Sequence, residues 1–245
     1  MSAPLVVVHR DATVLAQAVA ARIVTALVDA QADHGAASIV LTGGGIGIAT
    51  LRELGEMPAR EAIDWSALSV WWGDERFLPT GHPDRNETQA RAALLDLVDL
   101  DPARVHPMPA SDGPEGEDLD AAAAAYAVEL AANPDAAGFD VLLLGIGPDA
   151  HVASLFPGSP EAPAGASVVA VRGAPKPPPS RVSLSMATIN SAREAWLIAA
   201  GEEKAAAVRT ALGASGASVP AGQVRARDTT RWLVDRAAAS QLTER

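Results

Sequence analysis

Short β-rich runs alternate with helix-length segments along the whole chain, and this alternation constrains the fold more than any other feature. The runs are Leu5 to Val8, Ser38 to Leu41, Leu68 to Trp72, Val141 to Leu144, Ala195 to Ala199 and Thr230 to Val234. Two shorter ones lie at Val168 to Val171 and Val182 to Leu184. Strands separated by helix-length segments are joined by crossovers, which demand parallel neighbours. The expected class is therefore α/β: a single-domain, Rossmann-like, mainly parallel sheet with helices on both faces. Asp11 reads as an N-cap, with Val14, Ala18, Ala21 and Val24 at helical spacing as far as His34 and Gly35. Further helices are expected near Ile48 to Leu54, Glu87 to Val98, Asp118 to Ala132, Glu202 to Leu212 and Asp235 to Leu242. No internal repeat is visible. The run Pro177-Pro178-Pro179 is stiff but too short to link domains, so residues 1–245 are read as one domain.

Composition narrows the function. The net charge of −11 leaves no basic stripe to replace phosphate counterions, so no nucleic acid partner is expected. With no cysteine, disulfides, thiolate metal sites and cysteine nucleophiles are excluded. The start lacks a basic segment followed by a long apolar one, and no run is read as long enough to span a membrane. These features fit a cytoplasmic protein. Only Lys176 and Lys204 are lysines; the other seventeen basic side chains are arginine. A composition that favours arginine retains lysine either by chance or where a compact ammonium is needed.

Four segments could carry chemistry. Phe139 to Leu144, an apolar strand, runs into Gly145-Ile-Gly-Pro-Asp-Ala-His-Val-Ala-Ser-Leu-Phe-Pro-Gly158. This places His151 and Asp149 at the carboxyl end of a parallel strand, where an imidazole suits proton transfer on a bound ligand. Asp149 either orients His151 or holds the turn. Thr42-Gly-Gly-Gly45 follows a strand and opens a helix, so bare backbone N–H groups can cradle a phosphate there. It is neither a Walker loop nor a dinucleotide fingerprint. Asp74-Glu-Arg76 follows the third strand, as a surface ion pair or as part of a site. Asn86 is read as a helix cap or a ligand contact. His9, His34, His82 and His106 show no metal-ligand spacing, and Ser154 lies in no nucleophile elbow. Neither a metal nor a cofactor is expected.

The Gly145 to Gly158 segment resembles the G-x-G-x-D-G-H-x-A-S-L-F-P-G signature of the 6-phosphogluconolactonases, relatives of the glucosamine-6-phosphate deaminases. Ala150 stands where that signature has glycine. Matching segments recur near residues 40–48, 71–95, 175–185 and 196–208. Pro175-Lys-Pro-Pro-Pro-Ser-Arg181 is similar to the family's P-K-P-P-P-x-R, and Gly201-Glu-Glu-Lys204 to its G-x-x-K. The resemblance implies hydrolysis of 6-phospho-D-glucono-1,5-lactone to 6-phospho-D-gluconate in the oxidative pentose phosphate pathway. It implies catalytic roles for His151, Asp149 and Arg76. It also implies substrate or phosphate contacts from Thr42, Gly43, Gly44, Gly45, Asp74, Arg181 and Lys204. The partner is then a small sugar-phosphate lactone, and the protein a monomer or weak dimer.

Two other readings stay open. A deaminase relative would show D-E-Y, where this chain has Arg76, and an Asn-Glu pair where it has Ala153-Ser-Leu-Phe156. A non-catalytic sugar-phosphate sensor would carry a helix-turn-helix segment, for which the ten residues before the first helix leave no room.

Overall fold

The computed structural model describes residues 4–160 and 162–242. The elements run in order: β1 (Leu5–His9), α1 (Ala12–His34), β2 (Ala37–Leu41), α2 (Gly44–Glu56), β3 (Leu68–Trp72), β4 (Asp74–Arg76), α3 (Asn86–Ala93) and α4 (Leu119–Ala132). There follow β5 (Val141–Gly145), β6 (Val168–Val171), β7 (Arg181–Leu184), α5 (Met186–Asn190), β8 (Glu194–Ala199), α6 (Ala205–Leu212), α7 (Pro220–Gln223) and β9 (Thr229–Asp235). Six strands form an all-parallel sheet in the order β1-β9-β8-β5-β2-β3. Every residue of β2 and β3 is buried, as is nearly all of β5 and β8. Strands covered on both faces read as continuous apolar runs, which is why the sequence showed them. The mainly parallel α/β architecture is as expected.

The chain order reverses between β2 and β5, the topological switch point where such sheets leave a crevice. Three short strands make a second sheet, antiparallel, in the order β4-β7-β6. Gly73 is the joint between the two. Its N–H donates to Leu41 of the large sheet, and its carbonyl accepts from Leu184 of the small one.

α1 is capped by Asp11, whose carboxylate accepts from Val14 N–H, and is ended by Gly35 at φ 83°. Contrary to expectation, one helix among the described residues is long and apolar enough to cross a membrane by length and composition. It is α1, with a mean hydropathy of 1.5. In the fold its Leu15, Val19, Ile23 and Leu27 are buried in the core. Each such side chain contributes about 1.5–3 kcal/mol.

Two expected helices differ. The helix expected over Glu87 to Val98 stops at Ala93, because Leu94 leaves helical geometry at φ −150° and only a 3₁₀ turn follows. No helix forms over residues 235–242. Asp235 ends β9, and its carboxylate accepts from both Gly201 N–H and Ala238 N–H, which tethers the segment as a series of turns.

Candidate active site

A cleft of about 550 Å3 opens over the carboxyl ends of β8, β5, β2 and β3, four strands adjacent in the sheet. Each of these strands delivers one of the segments singled out in the sequence.

From β2 comes the glycine loop. Gly43 is the N-cap of α2 and supplies no side-chain cap, so the first N–H groups of this 13-residue helix face the cleft. Gly44 has φ 81°, and a Cβ on Gly43 would collide with the Asn86 side chain. Thr42 lines the cleft, and its Oγ1 also accepts from Gly145 N–H at 3.1 Å, tying the ends of β2 and β5 together.

From β5 comes the histidine. His151 Nδ1 lies 2.5 Å from Asp149 Oδ1, and the same oxygen accepts from His151 N–H at 3.3 Å. Asp149 is therefore bonded both to the ring and to the backbone of the turn. Partial burial alone would raise the Asp149 carboxyl. The His151 charge and hydrogen bond outweigh that and hold it below the usual carboxylate range. With Nδ1 engaged, Nε2 is the nitrogen left for chemistry. The Phe156 ring packs 4.5 Å from the imidazole, centroid to centroid. The other four histidines do not line the cleft.

The turn that aims His151 needs unusual backbone. Ala150 has φ 66° and Ala153 φ 50°, in the left-handed region that favours glycine. Ala150 is the position where the signature has glycine, and the strained geometry expected of that departure is present.

From the end of β3 the chain passes through Gly73 into β4. Asp74 is buried, accepting from Ser154 Oγ at 2.6 Å and from Asn86 Nδ2 at 3.3 Å. Arg76 Nη1 donates to Asn86 Oδ1 at 2.5 Å. Glu75 is fully buried. Its carboxylate accepts from the N–H groups of Arg76, Asn86 and Glu87, and so caps α3 from another element. Burial pushes the Glu75 carboxyl up to about 7, against the pull of Arg85 and these N–H donors. Asn86 is thus the first residue of α3 and not its cap; its side chain joins Asp74 to Arg76.

From β8 comes Lys204, at the N-cap position of α6. Burial lowers the pKa of its ammonium, the Lys176 charge lowers it further, and Glu203 and Asp149 oppose. From the small sheet comes Arg181, which lines the cleft. Its Nε and Nη2 donate to the carbonyls of Pro178, Lys176 and Pro177. Burial lowers its pKa as well.

The structure therefore gathers Thr42, Gly43, Gly44, Gly45, Asp74, Arg76, His151, Arg181 and Lys204 on one cleft lining, with Asp149 behind His151. The sequence reading gave no site role to Gly147 or Ser154 and left that of Lys176 open. A Cβ on Gly147 would meet both the His151 ring and the Asp149 carboxylate. The paired glycines before the histidine were the available signal for it.

The profile described as Glucosamine-6-phosphate isomerases/6-phosphogluconolactonase matches residues 10–232. The chain belongs to this family. A 6-phosphogluconolactonase of Streptomyces coelicolor is 58% identical over 247 residues, covering 98% of this chain and 95% of that protein. One from Mycobacterium tuberculosis is 48% identical over 238 residues, covering 95% and 96%. The solved 6-phosphogluconolactonase of Trypanosoma brucei superposes with a TM-score of 0.86 at 30% identity, covering 98% of this chain and 99% of that one. In this chain the segments that follow β2, β3, β5 and β8 converge on the cleft and bring His151, Arg76 and Lys204 onto one lining.

Proposed function

We propose that the protein hydrolyses 6-phospho-D-glucono-1,5-lactone to 6-phospho-D-gluconate, with His151 as general base. The observation that carries this reading is His151, held from behind by Asp149, on one cleft lining with the open N-terminus of α2 and with Lys204. The names of the near relatives support the substrate.

In the proposed mechanism the sugar phosphate lies across the cleft. Its phosphoryl group meets the α2 N–H groups, Lys204 and Arg181. The lactone carbonyl lies by His151 and Arg76. Nε2 takes a proton from water as the water oxygen bonds to the carbonyl carbon, and Arg76 stabilises the resulting oxyanion. When the tetrahedral species collapses, the bond from carbon to ring oxygen breaks. The imidazolium returns its proton to that oxygen, which becomes a hydroxyl. Asp149 keeps the Nδ1 proton in place and steadies the transient positive charge. Asp74 and Asn86 act through Arg76 and the histidine loop. The same reading takes the chain as one domain, working without a cofactor in the cytoplasm as a monomer or weak dimer.

The test is lactone hydrolysis followed by NMR with the spontaneous background subtracted. The wild-type protein is expected to accelerate ring opening. His151→Ala is expected to lower kcat by about 10²–10⁴-fold with KM little changed. Near-normal kcat in that variant removes His151 as the base. Ammonia release from glucosamine 6-phosphate would instead favour the deaminase reading.

A further inference from the structure

The only two lysines in the chain, against seventeen arginines, both line the candidate active site. They come from distant parts of the fold. Lys204 follows β8 of the large sheet, and Lys176 sits in the proline-rich turn that leads into β7 of the small one. We propose that Lys176 is a specificity residue: with Lys204 it forms a two-ammonium clamp that selects ligands ending in a doubly charged phosphoryl group. The proposal deepens the lactonase reading for its substrate, but the clamp itself concerns the anion alone.

The turn is built to present this residue. Ala174 N–H donates to the Pro179 carbonyl at 3.0 Å and closes it. Buried Arg181 grips it from below, donating to the carbonyls of Pro178 at 2.9 Å, Lys176 at 3.0 Å and Pro177 at 3.3 Å. The backbone of Lys176 is therefore fixed at the cleft edge while its side chain stays exposed. Much of the Arg181 guanidinium is engaged in this grip. Part of what a cation does for the ligand then falls to the residue that Arg181 holds in place.

Charge makes the second argument. Among the described residues, no ion pair involves either lysine. Burial, and after it the Lys176 charge, lower the pKa of the Lys204 ammonium. Two ammonium groups converging on one cavity are unfavourable until an anion lies between them. A monoanion neutralises one of them. A phosphate monoester carries about −1.5 to −2 at pH 7 and can answer both. The residue type fits this role. Lysine is a compact point charge on a flexible stem, whereas the arginine fork requires a planar bidentate partner.

The experiment compares the wild-type protein with Lys176→Met and Lys176→Arg. Inorganic phosphate is the calorimetric probe, and glucono-1,5-lactone with and without the 6-phosphate is the substrate pair. Lys176→Met is expected to weaken phosphate binding about tenfold, the scale of one charge-assisted hydrogen bond. Its KM for the phosphorylated lactone should rise by a similar factor with kcat within about twofold. The preference for phosphorylated over unphosphorylated lactone should shrink accordingly. Lys176→Arg should recover only part of the affinity. Wild-type phosphate affinity in Lys176→Met overturns the clamp, and so does an equal loss on both lactones. If phosphate binding depends on Lys176 but no lactone is turned over, the clamp stands and the lactonase reading falls.

Discussion

β2 and β5 lie side by side in the parallel sheet, and the loops that leave them meet over the same cleft. The loop after β2 has no charged side chain. It offers backbone N–H groups at the start of α2, and its shape depends on missing atoms, since a Cβ on Gly43 would strike Asn86. The loop after β5 does the reverse. It displays Asp149 and His151, and it holds two alanines at positive φ. Strain of this kind persists only where the surroundings enforce it. Here they do so from far away in sequence. Ser154 Oγ donates to Asp74, Ser154 N–H donates to Ser183 Oγ, and Ala221 N–H donates to the Ala150 carbonyl. A loop that recognises with its backbone can be written locally, whereas one that acts with side chains needs bracing from other elements.

Among changes to the backbone and its braces, the largest effect is expected where the second loop borrows the device of the first. Gly147 leaves space that the His151 ring and Asp149 carboxylate occupy, so Gly147→Ala must displace that pair. Misplacing a catalytic group by about 1 Å costs roughly 10²-fold in rate. Gly147→Ala is therefore expected to lower kcat by about 100-fold while phosphate affinity stays close to wild type. Steady-state kinetics with phosphate as a competitive inhibitor separates the two. If kcat survives, the loop tolerates a side chain there and the contrast with the glycine loop is wrong.

Next comes the brace. Ser154→Ala leaves one oxygen of buried Asp74 without its donor at 2.6 Å, a loss of about 1–3 kcal/mol. For a chain of this length each kcal/mol lowers Tm by about 2–4 °C. A looser histidine loop should also lower kcat about tenfold, an effect a purely global loss of stability would not produce well below Tm. Calorimetry together with kinetics at 25 °C checks both. Unchanged kcat would make Ser154 a packing residue only.

Much of this contrast could be read from the chain, and what could not has a physical cause. The apolar runs of β2, β3, β5 and β8 are continuous because both faces are covered, so the central sheet was visible. The glycine loop and the Asp149 to His151 turn lie directly after such runs, so their place at the strand ends followed. β4 was not visible, because Asp74, Glu75 and Arg76 become strand only by pairing with β7 and by donors supplied from Asn86 and Ser154. Ser154 and Asp74 are 80 positions apart, and no local pattern reports such a contact. The missing helix over residues 235–242 has the same origin. Its Asp235 carboxylate answers Gly201, 34 positions earlier.

The smallest effect should come from Ala150, and it measures how much of the loop's shape is strain and how much is brace. An L-residue in the left-handed region costs about 1–2 kcal/mol, which Ala150→Gly removes. Two terms oppose this relief. Glycine adds about 0.4–1 kcal/mol of freedom to the unfolded chain. Ala150 is also almost fully buried, so deleting its methyl group forfeits about 0.8 kcal/mol of burial. The three nearly cancel, and Tm should move by no more than about 2 °C, with kcat within about threefold of wild type. A rise of more than about 5 °C would mean that strain at this position exceeds what one residue's backbone preference explains. A tenfold fall in kcat would mean that the alanine methyl, and not the Ser154–Asp74 contact, keeps His151 aimed. Either result would move the origin of the loop's order from the small sheet to the turn itself.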